Sequence, residues 1–183
     1  TDVAVRENTN IYLIGPMGSG KTAVGHQLAK EFGLEFFDSD AEIESSTGVD
    51  ISFIFEKEGE ASFRQRERDC IRKLTQRENI VLATGGGSVM DEDIRHYLAQ
   101  SGTVIYLKTS VERQLERTKH ARHRPLLIDG EPEETLERLS IIRSPLYEGL
   151  ASVTVDTGGR HVRAVVSNIR KILKDRGLEP LKN

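Results

Sequence analysis

The chain has one cysteine, Cys70, in 183 residues, which excludes an internal disulfide and any zinc site built on several thiolates. Aromatic residues make up only 5%, and 26 bases against 29 acids leave a formal charge of −3. The basic, aromatic-studded groove of a nucleic-acid binder is therefore missing, and no nucleic-acid partner is expected. No stretch approaches the roughly 20 continuous apolar residues of a membrane span, so no membrane partner is expected either. The opening TDVAVRENTN lacks the basic-then-apolar layout of a signal peptide, and a cytoplasmic location is the expectation. What is present suffices for a core: 37% of residues are hydrophobic, and a chain of this length buries roughly 70% of its unfolded surface. One domain, residues 1–183, acting as a monomer, is expected.

The small net charge hides a segregation. Residues 31–60 hold ten acids against Lys57, residues 64–77 hold six bases against Glu67 and Asp69, and residues 113–124 hold five bases against Glu116. Two readings stand side by side: a local field for a small anion, or solvated helix faces. Five short apolar runs, Ile11–Ile14, Phe36–Phe37 with Leu34, Ile80–Ala83, Val104–Leu107 and Val153–Val155, have the character of buried strands. Between them lie helical periods, such as Val24, Leu28 and Phe32, or Val162, Val165, Val166, Ile169, Ile172 and Leu173. Cys70 falls on such a face with Phe63, Ile71 and Leu74, which makes it a core residue rather than a nucleophile. Thr109 and Glu112 form a capping-box pattern after the fourth strand. Alternating strands and helices imply βαβ units and a parallel sheet covered on both faces, with ligands at the carboxyl ends of the strands. Residues 39–59 and 119–132 interrupt the alternation, and the second, rich in bases and proline, has the composition of a lid.

Gly15-Pro16-Met17-Gly18-Ser19-Gly20-Lys21-Thr22 matches GxxxxGK[ST] between a strand and a helix, the context that a phosphate-binding loop requires. Glycines let successive N–H groups turn inward, and the helix N-terminus adds partial positive charge. Gly18, Ser19, Gly20, Lys21, Thr22 and Ala23 are thus the expected ATP contacts, with Lys21 on the β/γ-phosphates and Thr22 on Mg²⁺. Nucleotide binding alone does not choose among kinase, switch and motor. The third strand runs into Gly85-Gly86-Gly87 where a Walker B strand would end in an acid. Asp38-Ser39-Asp40 ends the second strand, and residues two apart on a strand share a face. Asp38 would then serve the metal and Asp40 an attacking hydroxyl; an Asx turn capping the next helix explains the same spacing equally well. The three glycines are either a loose turn or a place where a small ligand meets the main chain closely.

Taken together, GPMGSGKT, FFDSDAEIE (36–44), IFEKEGEASFRQRE (54–67), VLATGGGSV (81–89), RPLL (124–127) and RSPLYE (143–148) resemble the shikimate kinase family over nearly the whole chain. That resemblance implies a P-loop NTPase fold: α/β, three-layer α/β/α, with a five-stranded parallel sheet in the order 2-3-1-4-5. It further implies transfer of the ATP γ-phosphate to the 3-hydroxyl of shikimate with Mg²⁺, an acceptor-binding insertion at about 39–68 and a lid at about 119–130. Carried over residue by residue, Asp40, Arg64, Gly86 and Arg143 would bind shikimate with Gly85 and Gly87 adjacent. Lys21, Asp40 and Arg124 would be the catalytic set, Thr22 and Asp38 the metal ligands, and Arg117, Arg124 and Arg160 further ATP contacts. Glu67 either orients a neighbouring arginine or is a plain surface glutamate. Gluconate kinases and nucleotide kinases share the P-loop, and an ATP-binding regulator without catalysis is the rival from another class.

Overall fold

Successive residues of a strand point to opposite faces of its sheet, and here both faces are apolar. In the computed structural model, which describes residues 9–118 and 131–178, β1 (Ile11–Ile14) sends Ile11 and Leu13 one way and Tyr12 and Ile14 the other, all four buried. β2 (Glu35–Asp38), β3 (Ile80–Ala83), β4 (Thr103–Lys108) and β5 (Val153–Asp156) complete one parallel sheet in the order β2-β3-β1-β4-β5. The architecture and strand order expected from the sequence are therefore those observed.

Two layers of helix close the sheet. α1 (Lys21–Phe32) and α8 (Val162–Asp175) bury Val24, Leu28, Val165 and Ile169 against Leu13, Ile105 and Leu107. On the opposite face, α4 (Glu60–Leu74), α5 (Glu92–Ser101) and α7 (Pro132–Leu150) bury Ile71, Ile94, Leu98 and Tyr147 against Tyr12, Leu82 and Tyr106. α2 (Ser39–Thr47) and α3 (Ile51–Glu58) pack on α4 around a small separate core of Ile43, Ile54 and Phe63. This gives the region after β2 a core of its own, tied to the sheet through Cys70. α6 (Val111–Thr118) follows β4, and the expected lid at 119–130 lies outside the described residues.

Two local expectations are corrected. Asp38 and Asp40 do not share the face of a strand: β2 ends at Asp38, whose Oδ1 accepts the Ala41 N–H at 3.1 Å and caps α2, so Asp40 sits in the first helical turn. The helical cap prevailed because an aspartate before AEIESS satisfies an N–H that would otherwise have no partner. After β4, Ser110 rather than Thr109 caps α6, its hydroxyl accepting the Arg113 N–H at 3.2 Å.

The first glycine of the phosphate loop makes a close approach. Gly15 has φ +147°, and a Cβ there would lie 2.5 Å from the main-chain oxygen of Leu107 on β4. Gly48, which ends α2 at φ +75°, has nothing within 4 Å of the corresponding point. Gly48→Ala should therefore lose only the roughly 1–2 kcal/mol of a left-handed alanine. Gly15→Ala should lose distinctly more, because the Leu107 carbonyl cannot move without disturbing the β1–β4 ladder. Urea unfolding of the two variants measures the difference, and equal losses would show that the β4 contact is unimportant.

Candidate active site

The carboxyl ends of β1, β2 and β3 open into a cavity of about 420 Å³. Its nucleotide side is the loop between β1 and α1. Lys21 Nζ donates to the carbonyls of Gly15 and Pro16 at 2.7 and 2.8 Å, folding the side chain back along the loop. Gly18 and Gly20 have φ of +79° and +90°, the turn that glycine makes without a Cβ penalty. Arg117 on α6 lies across this loop and donates to the Gly18 carbonyl at 2.9 Å. From one turn earlier, Gln114 donates to the Met17 carbonyl at 2.9 Å.

At the floor, Thr22 Oγ1 donates to Asp38 Oδ2 at 3.1 Å. These two hard oxygens on adjacent elements suit Mg²⁺, which takes one or two protein oxygens and completes its shell with water and phosphate. Among the described residues no group of three or more His, Cys, Asp or Glu could hold a metal. Asp40 lines the same cavity. Burial, reinforced by the Asp38 carboxylate, raises its pKa to about 6 against the opposing pull of Lys21 and Arg64.

The opposite side of the cavity is built from three elements. The loop after β3 presents Gly85, Gly86 and Gly87, held from behind by Ser39 Oγ accepting the Gly85 N–H at 3.1 Å and by Ser88 Oγ donating to the Gly85 carbonyl at 2.7 Å. A Cβ at Gly87 would lie 2.5 Å from an Arg64 nitrogen and 2.9 Å from an Arg143 nitrogen. Only a bare main chain lets the two guanidinium groups, from α4 and α7, converge there. Arg64 donates to Glu67 Oε1 at 2.9 Å across one helical turn, while Arg143 is 7% exposed and has its pKa lowered by burial. Four residues further along α7, the Tyr147 hydroxyl donates to the Gly86 carbonyl, and burial raises that phenol to about 12. Ile51, Phe55 and Phe63 close the apolar side of the cavity.

Most residues singled out from the sequence thus meet in one place: Gly18, Gly20, Lys21, Thr22, Ala23, Asp38, Asp40, Arg64, Gly85, Gly86, Gly87, Arg117 and Arg143 all line the cavity. Ser19 is buried within the loop, its hydroxyl without a partner among the described residues. Arg160 does not line the cavity. Its guanidinium donates to the Asp156 and Ala164 carbonyls and to Asn168 Oδ1, at the start of α8. Arg124 lies outside the described residues. Glu67 is 1% exposed and so is no surface glutamate. Tyr147, Gln114 and Met17 were not anticipated; the i, i+4 spacing of Arg143 and Tyr147 was the available signal that both face inward.

The comparisons agree with this geometry. A family model described as shikimate kinase matches residues 17–174. The chain is 48% identical over 169 residues to "Shikimate kinase 1" of Yersinia enterocolitica, covering 92% of this chain and 98% of that one. It is 50% identical over 164 residues to the shikimate kinase of Haemophilus influenzae strain PittEE, covering 89% and 91%. A solved shikimate kinase from Acinetobacter baumannii in complex with shikimate superposes with a TM-score of 0.91 at 47% identity over 94% of this chain and 97% of that one. A deoxyadenosine kinase from M. mycoides, at 19% identity and a TM-score of 0.63, shares the fold. With a matching model over most of its length and relatives near half identity over nine-tenths of it, the chain belongs to the shikimate kinase family.

Proposed function

We propose that the cavity binds MgATP on the Gly15–Thr22 loop and shikimate between Asp40, Arg64, Arg143 and the Gly85–Gly87 main chain, and moves the γ-phosphate to the shikimate 3-hydroxyl, giving shikimate 3-phosphate and ADP in the cytoplasm. The observation that carries this reading is the convergence of Arg64 and Arg143 over Gly87 in the same cavity as Lys21 and Asp40. Two planar guanidinium groups suit a carboxylate because each offers paired donors. A ring hydroxyl of the same small acid then falls to Asp40.

Phosphoryl transfer passes through a loose transition state whose charge spreads over the moving oxygens, so positioning and electrostatics dominate. Lys21 leaves the Gly15 and Pro16 carbonyls for the β/γ-phosphates, and the loop N–H groups of Gly18 to Ala23 hold the remaining oxygens. Thr22 and Asp38 would hold Mg²⁺, which when bound neutralises charge between the β- and γ-phosphates. Asp40 accepts a hydrogen bond from the 3-hydroxyl, aims it at the phosphorus and takes its proton late. Arg117 steadies the loop through Gly18. Glu67 keeps Arg64 extended toward Gly87, and Tyr147 fixes the Gly86 carbonyl so that the neighbouring N–H groups face the acceptor.

Release of ADP measured with shikimate, gluconate, a nucleoside monophosphate or no acceptor tests the assignment: turnover with shikimate alone is expected, and equal turnover without any acceptor would remove it. Asp40→Asn should lower kcat by roughly 10²–10⁴-fold with ATP affinity nearly unchanged; equal loss of both would contradict the role given to Asp40. Because Asp40 has to be ionised and burial places its pKa at about 6, kcat/KM should fall as pH drops through that value. A pH–rate profile flat down to pH 5 would show that Asp40 is not the accepting group. Arg64→Ala and Arg143→Ala should each raise the shikimate KM roughly 10- to 100-fold, the weight of a hydrogen bond to a charged group, while nucleotide affinity is retained. An unchanged KM in either variant removes that arginine from the carboxylate clamp.

A further inference from the structure

Glu67 keeps its Oε1 against Arg64, but its Oε2 is buried and has no hydrogen-bond partner among the described residues, and the same is true of Asp40 Oδ1. Both of these oxygens lie 3.0 Å from the point where a Cβ on Gly85 would stand. Two carboxyl groups from different helices therefore turn acceptor-only oxygens toward one spot beside a bare main chain. A proton on either of them would turn an acceptor into a donor; without it, each loses hydration with nothing in return.

The charge around Glu67 makes the same point. From its own helix it faces Arg64 and the thiol of Cys70, from α2 Asp40, and from α7 Arg143; the loop after β3 contributes only glycine there. Burial raises the Cys70 thiol to about 11, so it is neutral at neutral pH. With both carboxyls ionised, the two guanidinium groups that face Glu67 balance it and Asp40. The carboxylate of shikimate, seated at Gly87 as proposed above, would bring one further negative charge beside the buried Glu67 carboxyl.

Resting on that reading of the acceptor site, we propose that Glu67 is the proton store of the pocket: shikimate binding drives a proton from the solvent onto Glu67 Oε2, and the new O–H donates toward Asp40. The proton comes from a buffer acid, which becomes its conjugate base; one O–H bond forms at Glu67, and Asp40 is left its other oxygen for the acceptor hydroxyl. Burial already places Glu67 at about 7, with Arg64 and Arg143 lowering it and Asp40 raising it. Drawing the two arginines onto the shikimate carboxylate weakens the lowering influence, so the bound-state value rises. Glu67 thus acts as a positioning residue through the hydrogen bond that it gives Asp40.

The sign follows from linkage. A group whose pKa rises on binding takes up protons, so affinity is greatest at low pH and is lost as pH rises from the free value of about 7 toward the bound value, by at most about tenfold per pH unit. Calorimetric titration of shikimate into the whole protein at pH 7.5, in buffers of small and of large ionisation enthalpy, should show uptake of about half a proton. Between pH 7 and 8.5 the Kd should weaken roughly three- to tenfold or more. In Glu67→Gln, whose amide imitates the protonated acid, uptake should vanish and the Kd should stay level across that range. Heat of binding that does not depend on the buffer in the unaltered protein overturns the proposal by itself, whatever the variant does. Uptake that persists in Glu67→Gln, or a variant weakened equally at every pH beside a pH-independent parent, also overturns it and leaves Glu67 as a support for Arg64. No heat with shikimate at all removes the reading of the site and this proposal with it.

Discussion

Arg143 and Glu67 are both withdrawn from water, and an unpaired buried charge is among the most expensive defects that a fold can carry. The acceptor half of the cavity is organised around avoiding it. Arg64 bonds Glu67 within α4, Arg143 reaches the same region from α7, and the loop after β3 runs between them without side chains. The apolar core seats α4 and α7 on the sheet through Ile71, Leu74 and Tyr147, and the two guanidinium groups then converge across the Gly85–Gly87 loop.

The sheet determines where such a pocket can form. β1 and β3 are neighbours, and the helix after β1 covers one face while α5, following β3, covers the other. Connections that leave adjacent strands toward opposite faces open a crevice at the strand ends. The phosphate loop rims one side of it and the glycine triplet the other. Thr84 Oγ1 donating to the Leu13 carbonyl at 3.1 Å stitches the two rims together just before they part.

Much of this was legible in the sequence. Strands buried on both faces read as short β-branched runs, and Gly-x-x-x-x-Gly-Lys-Thr has few other uses between a strand and a helix. The two arginines that converge over Gly87 were reachable only through the family resemblance, since seventeen arginines look alike in one dimension. Arg160 shows a use of the same side chain that no pattern announces: its guanidinium satisfies carbonyls at a helix start. Asp38-Ser39-Asp40 was ambiguous for a related reason. A carboxylate at a strand–helix junction can cap the helix and still face the cavity, and Asp38 does both with different oxygens. The burial of Glu67 and the reach of Tyr147 depend on which helix crosses above them, information that no local pattern contains.

The two halves of the cavity hold their cations by different means, and this bears on what each can recognise. On the nucleotide side Lys21 and Arg117 donate to main-chain carbonyls of the loop itself. Those are partial charges, so a phosphate oxygen bearing full charge can displace them with net electrostatic gain. On the acceptor side Arg64 is already matched to a carboxylate, and an incoming acid gains little from raw charge. Recognition there has to come from geometry: the fixed angle between two guanidinium planes, the bare Gly87 main chain, and one carboxyl at the far end of the ring. A loop that answers to charge suits a donor shared by thousands of enzymes. A clamp whose charge is internally balanced suits discrimination among acids of the same charge, because only the one whose hydroxyl falls on Asp40 while its carboxylate reaches Gly87 uses both ends.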